Sequence, residues 1–197
     1  MPAGEPGPQQ LVLASGSARR RDLLRQVGID PAIIDPPHID ERHRPRELPL
    51  GYARRMAGSK LLAIAPQHPG NWVLAADTVV ACGRRILLKA ETEEQARDCL
   101  ALLSGRRHRV LGGIAISAPD GRTAERVVTT IVAFKRLTPA EIDAYLATGD
   151  WRGKAGGYAI QGHAASFIPW INGSYGNVVG LSLSDAVAML TGLGWRA

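Results

Sequence analysis

The sequence predicts an α/β fold, a mixed β-sheet flanked by helices, and three observations carry that expectation. Short aliphatic runs alternate with segments of helical periodicity along the chain. Thr92 with Gln95 and Thr138 with Glu141 form two capping boxes, each opening a helix. Turns at 83–85 and 119–122 join runs that read as hairpins, so antiparallel pairs are inserted in the sheet. The 197 residues suffice for one such domain, or two small lobes, with a substantial core. With 45% hydrophobic but only 5% aromatic residues, that core is aliphatic.

Residues 1–10 hold prolines and glycines without an apolar run, so they read as a disordered tail and not a signal peptide, ahead of one domain over 11–197. Leu11, Val12, Leu13 and Ala14 form a buried strand that stops at Ser15-Gly16-Ser17. Leu23, Leu24 and Val27 then recur at helical spacing. Arg19, Arg20 and Arg21 fall in the first turn of that helix, where backbone N–H groups are unpaired and the macrodipole is already positive. Cations are stable there when an anion sits among them. Two serine hydroxyls, exposed amides and guanidinium forks make this loop a candidate polyphosphate cradle, the alternative being a solvated arginine cluster on an ordinary cap.

Residues 31–49 are rich in proline, charge and histidine and read as extended loop. A helix over 50–64 presents Ala53, Met56, Ala57, Leu61 and Ile64 on one face, with Lys60 off it. Residues 72–76 form a second buried strand ending at Asp77-Thr78, and 79–82 and 86–88 flank Gly83-Arg84-Arg85 as a hairpin. The helix after Thr92 buries Ala96, Cys99, Leu100 and Leu103 and stops at Ser104-Gly105. Strands over 108–117 and 123–134 follow, then a helix from Pro139 that stops at Gly149. Residues 150–162 are glycine-rich, a composition that lets backbone approach a ligand or another segment closely. Short strands at 164–168 and 171–175 surround Asn172-Gly173, and a final helix spans 184–193.

An anion cradle calls for cations, a metal-binding carboxylate and a base that activates water. Lys60 and Lys89 are two of four lysines in a chain with 24 basic residues, and a compact ammonium suits a phosphate oxygen, although surface lysines are commoner. Asp77, at the end of an almost wholly apolar strand, is costly unless it faces a cleft; a structural cap is the alternative. Asp40 and Glu41 add two adjacent carboxylates. The net charge of +6 permits nucleic acid, acidic membrane or small anions as partners. Basic pairs at Arg54-Arg55, Arg84-Arg85 and Arg106-Arg107 are scattered, and aromatics are few, which argues against nucleic-acid binding. Cys82 and Cys99 lack metal-ligand neighbours and point to a reduced cytoplasmic protein, and no apolar run approaches the roughly 18 residues of a membrane span. His38, His43, His108 and His163 match no standard metal spacing and read as solvated or packed.

The order Ala14-Ser15-Gly16-Ser17-Ala18-Arg19-Arg20, Ile39-Asp40-Glu41, Ala76-Asp77-Thr78-Val79, Lys89, Leu103-Ser104-Gly105, Gly149-Asp150-Trp151, Lys154-Ala155-Gly156, Tyr158-Ala159-Ile160-Gln161-Gly162 and Gly173-Ser174-Tyr175 with Asn177-Val178-Val179-Gly180-Leu181 closely resembles the Maf family of nucleoside triphosphate pyrophosphatases. The resemblance implies an elongated inosine-triphosphatase-like fold with two lobes about a central cleft, a homodimer, and a divalent cation, Mg²⁺ or Mn²⁺. It implies that Ser15, Ser17, Arg19 and Arg20 line a phosphate loop, Glu41 and Asp77 hold the metal, Lys60 and Lys89 neutralise phosphate, and Asp77 accepts a proton. Arg19, Thr78 and Gln161 stand at substrate-sorting positions and resemble the dTTP/UTP branch. The 7-methyl-GTP branch, an alternative, carries Trp, Gln and Glu there; a non-catalytic cell-division regulator is another. The chain departs from the family pattern at Ala18, Leu88, Ala90 and Ser182, which bear on loop stiffness, and at Ser59 and Gly112.

Overall fold

The computed structural model describes residues 10–196. The tail assigned to 1–10 therefore lies, apart from Gln10, outside the described residues. Seven strands form one mixed sheet: β1 (Leu11–Ala14), β2 (Ile33–Ile34), β3 (Trp72–Cys82), β4 (Arg85–Leu87), β5 (Arg107–Ser117), β6 (Thr123–Ala133) and β7 (Trp170–Asn172). Their order is β2-β1-β3-β5-β6-β7, with β4 also on β3. Both partners of β1 run parallel to it, and every other pair is antiparallel. Among the described residues six α-helices flank the sheet: α1 (Ala18–Gln26), α2 (Pro49–Ile64), α3 (Glu93–Leu103), α4 (Pro139–Thr148), α5 (Tyr175–Val179) and α6 (Leu183–Leu193). Among these no helix is long and apolar enough to cross a membrane.

Alternation along β3 decides what each face meets. Trp72, Leu74, Ala76 and Val80 enter the larger core, with Leu100, Tyr145 and Leu190 from α3, α4 and α6. Val73, Ala75, Val79 and Ala81 face the other way, onto α2. The contact with α2 is tight at Gly113, where a Cβ would stand 2.2 Å from the Ala53 carbonyl oxygen. Only glycine lets that helix lie so close.

Four expectations are corrected. First, β3 does not end at Asp77 but runs unbroken to Cys82. β5 pairs with it from Val73 to Ala81, so the backbone bonds of β5 carry the strand past the polar pair. Its other edge is shared: β1 covers Leu11↔Trp72 to Ala14↔Ala75, and β4 covers Val80↔Leu87 to Cys82↔Arg85. Residues 76–79 lie between these two partners with no strand beside them. Second, Lys60 does not lie off the buried face of α2; it is 6% exposed, because two carboxylates described below hold it. Third, 164–168 is a 3-10 turn (His163–Phe167), and the strand expected at 171–175 is β7, ended by Gly173 and followed by α5 capped by Ser174. Fourth, Val27, expected to recur with Leu23 and Leu24 at helical spacing, lies past the end of α1 as its exposed C-cap.

Candidate active site

Within the interval 76–79 of β3, Asp77 and Thr78 line a cleft of about 450 Å³. Ser15, Ser17, Arg19, Arg20, Glu41, Lys60, Asp77, Thr78, Lys89 and Gln161 all line it. Ten residues singled out in the sequence, from six separate regions, thus share one concavity.

The serine loop between β1 and α1 supplies one wall. Arg20 donates through Nη1 to Ser15 Oγ at 2.7 Å, through Nη2 to Thr78 Oγ1 at 3.1 Å, and through Nε to the Gly180 carbonyl at 2.9 Å. Arg19 donates through Nε to the Val179 carbonyl at 3.3 Å. All these acceptors are neutral, and among the described residues neither arginine makes an ion pair. Burial lowers the pKa of both, with Asp77 and Glu41 opposing it at Arg20 through their charge. A half-buried cation with only neutral acceptors is costly, and an anion in the cleft relieves that cost. Ala18, one of the departures, is simply the first residue of α1.

The opposite arrangement of charge lies on the α2 face. Lys60 Nζ stands 2.5 Å from Asp77 Oδ1 and 2.7 Å from Glu41 Oε1, and Lys89 Nζ stands 3.1 Å from Glu41 Oε2. Burial pushes the Glu41 pKa up, but hydrogen bonds and charge from Lys60 and Lys89 outweigh it and hold the carboxyl below its ordinary value. Tyr52 on α2 donates its hydroxyl to the Glu41 carbonyl at 2.6 Å; burial, with the charges of Asp77 and Glu41, pushes its pKa up to about 12, so it remains a donor. Arg55 closes the same loop by pairing with Glu47 at 2.6 Å and donating to the Arg42 carbonyl at 3.1 Å. The carboxylates Glu41 and Asp77 converge on one ammonium, and among the described residues no group of three or more His, Cys, Asp and Glu gathers. Such a donor set fits Mg²⁺ or Mn²⁺, which keep several waters and share one or two carboxylates with substrate phosphates; it does not fit a closed zinc site.

The glycine-rich loop forms the far wall. A bridge between Lys89 and Ala155 ties it to the segment after β4, supported by Ala90 N–H to the Lys154 carbonyl at 3.1 Å and Gly153 N–H to the Ala90 carbonyl at 2.9 Å. Gln161 is exposed at the rim. Asp150 fixes the backbone beyond it by accepting from His163 N at 3.1 Å and pairing with His163 Nδ1 at 2.9 Å. Three lining features carried no role in the sequence reading: Lys154, Tyr158 and the Val178–Gly180 carbonyls. Lys154 was findable, being one of four lysines and set among glycines. Tyr158 and the carbonyls were not, since nothing local distinguishes a lining tyrosine from a core one.

Tyr158 is anchored from behind by His108, whose Nε2 lies 2.8 Å from Tyr158 Oη. Burial depresses the His108 pKa from 6.5 to about 4, so the ring is neutral when folded. The unfolded chain takes up this proton first, so the stability contribution is complete above about pH 6.5 and is lost as pH falls toward 4, about 3 kcal/mol in all. Thermal melts of the wild type and His108→Gln between pH 7 and 4.5 are expected to show a shallower fall in the variant. Parallel curves would refute the assignment.

This sheet and this cleft, with a serine-arginine loop facing a lysine-bridged pair of carboxylates, lie within residues 10–193, which match the family described as Maf-like protein. The chain belongs to the Maf family. It is 62% identical to the dTTP/UTP pyrophosphatase of Paramagnetospirillum magneticum, over 94% of this chain and 97% of that one. It is 60% identical to the dTTP/UTP pyrophosphatase of Rhodospirillum rubrum, over 94% and 89%. A solved nucleoside-triphosphatase / dITP/XTP pyrophosphatase from Mycobacterium abscessus shares 13% identity over 66% of this chain and 74% of that one, at a TM-score of 0.38, a likeness too distant to carry an argument.

Proposed function

We propose that this chain is a nucleoside triphosphate pyrophosphatase that hydrolyses dTTP, UTP and modified pyrimidine nucleotides to the monophosphate and pyrophosphate. The high identity to relatives named for that activity supports the substrate class. One observation carries the chemistry: a carboxylate, Asp77, stands where β3 has β5 on one edge and no strand on the other, in a cleft shared with an arginine pair that makes no ion pair among the described residues.

In this reading Ser15, Ser17, Arg19 and Arg20 bind the phosphates, with Arg20 aimed by Thr78 and Gly180. Asp77 takes the proton of the water that attacks the α-phosphorus, and pyrophosphate leaves with its charge met by Lys60 and Lys89. Glu41 and Asp77 would hold Mg²⁺ or Mn²⁺, which screens the phosphates and stabilises charge in the transition state. Gln161 offers a donor and an acceptor to a pyrimidine edge. A homodimer in the cytoplasm completes the proposal, on the family resemblance and the two free cysteines.

Purified protein with Mg²⁺ is expected to release pyrophosphate from dTTP and UTP in preference to other triphosphates, 7-methyl-GTP included. Inertness toward every triphosphate would reject the reading. Gln161→Glu, which removes the amide donor, is expected to lower kcat/KM for UTP by about 10–100-fold, and an unchanged value would remove Gln161 from base recognition.

A further inference from the structure

Three of the four carboxylate oxygens of Glu41 and Asp77 are already taken by ammonium groups: Asp77 Oδ1 and Glu41 Oε1 by Lys60, Glu41 Oε2 by Lys89. Lys60, 6% exposed, has little access to solvent, so it gives up these carboxylates only to another acceptor inside the cleft. Charge on the cleft wall also opposes a bare dication. Two carboxylates face three ammonium and two guanidinium groups, Lys60, Lys89, Lys154, Arg19 and Arg20, so the wall is net positive. A polyanion changes both conditions, since its phosphate oxygens give the ammonium groups other acceptors and offset the surplus charge.

Resting on the assignment of Glu41 and Asp77 as metal ligands, we propose that Lys60 is an internal cation that competes with the metal for those carboxylates, so that the divalent ion enters as its complex with the nucleotide and not ahead of it. Lys60 then has two duties in sequence. It neutralises the carboxylate pair before substrate arrives, and it turns to a phosphate oxygen afterwards. Lys89, held by a single oxygen of Glu41 and half exposed, makes the same exchange more freely.

Binding of Mn²⁺ to the full chain, followed by the loss of the free-ion paramagnetic resonance signal, tests this without turnover. The wild type without nucleotide is expected not to saturate at millimolar Mn²⁺, and to take it up when a non-hydrolysable α,β-methylene analogue of UTP is added. Lys60→Met without nucleotide is expected to bind Mn²⁺ at least about tenfold more tightly than the wild type, and Glu41→Gln in that background to erase the gain. Micromolar binding by the nucleotide-free wild type overturns the proposal, as does a folded Lys60→Met of unchanged affinity. Should Lys60→Met fail to give a native circular dichroism spectrum, Lys60→Gln serves for the same comparison. Wild-type turnover of UTP is scored separately, so inertness would reject the proposed function while the Mn²⁺ titrations judge Lys60 alone.

Discussion

Replacing Asp77 by asparagine is expected to lower kcat for UTP about 10³-fold with the fold intact. The amide has the shape of the carboxylate, and its oxygen still accepts from Lys60, so β3 and its pairing with β5 have no reason to change. What is lost is basicity, because an amide cannot take a proton from water at neutral pH. Lys60 keeps Glu41 as a charged partner at 2.7 Å, which limits the cost of removing the buried charge of Asp77. Pyrophosphate release and a thermal melt on the same preparation separate the outcomes. A variant that retains the wild-type rate would dismiss Asp77 as the base. A folded but inert variant that still supported a division phenotype would favour the regulator over the enzyme.

Asn177→Ala is expected to destabilise the protein by about 3 kcal/mol, a fall of roughly 6–12 °C in Tm for a chain of this size. Asn177 is fully buried, and its Nδ2 donates to the Val110 carbonyl at 3.1 Å, the Val128 carbonyl at 3.2 Å and Thr130 Oγ1 at 3.1 Å. Those bonds pin α5 to β5 and β6. Alanine would leave the acceptors without that donor in a place closed to water. The same variant is expected to raise KM for the triphosphate, since α5 sets the position of the Val179 and Gly180 carbonyls that aim Arg19 and Arg20. An unchanged melting temperature would show that the three contacts contribute nothing net. Gly112 belongs to this packing, because a Cβ there would fall 1.9 Å from Asn177 Oδ1.

Most of the fold was legible in the sequence because its local signals agree with one another. Both capping boxes form as the Thr-x-x-Gln and Thr-x-x-Glu patterns imply, with Gln95 N donating to Thr92 Oγ1 and Glu141 N to Thr138 Oγ1. The aliphatic runs at 11–14 and 72–76 are parallel neighbours. What escaped was set by distant partners. The strand through Asp77 looks interrupted when read locally, since an acid and a threonine break an apolar run, yet β5 supplies backbone bonds from the far side and holds it straight. Lys60 reads as a solvent-facing position by helical spacing alone. Its burial follows from Asp77, 17 positions ahead, and Glu41, 19 behind, which no periodicity encodes. Ser15, Ser17, Arg19, Arg20, Lys60, Lys89 and Asp77 stood out locally as a small polar loop, rare lysines and an acid after an apolar run, and Glu41, Thr78 and Gln161 took their roles from the family resemblance, while the gathering of all ten into one cleft depends on where β1 stops and β4 begins.

That missing stretch of neighbour along β3 also bears on the protein's behaviour as a solute. Exposed main-chain edges recruit other chains and seed aggregates. Here only four residues lack a strand on that edge, three of them buried, the ends of β1 and β4 block an incoming strand at either side, and charged side chains fence the opening. A polypeptide cannot lie down in so short a berth, but a nucleotide can. The interruption therefore admits small guests while denying the purchase that intermolecular pairing would need.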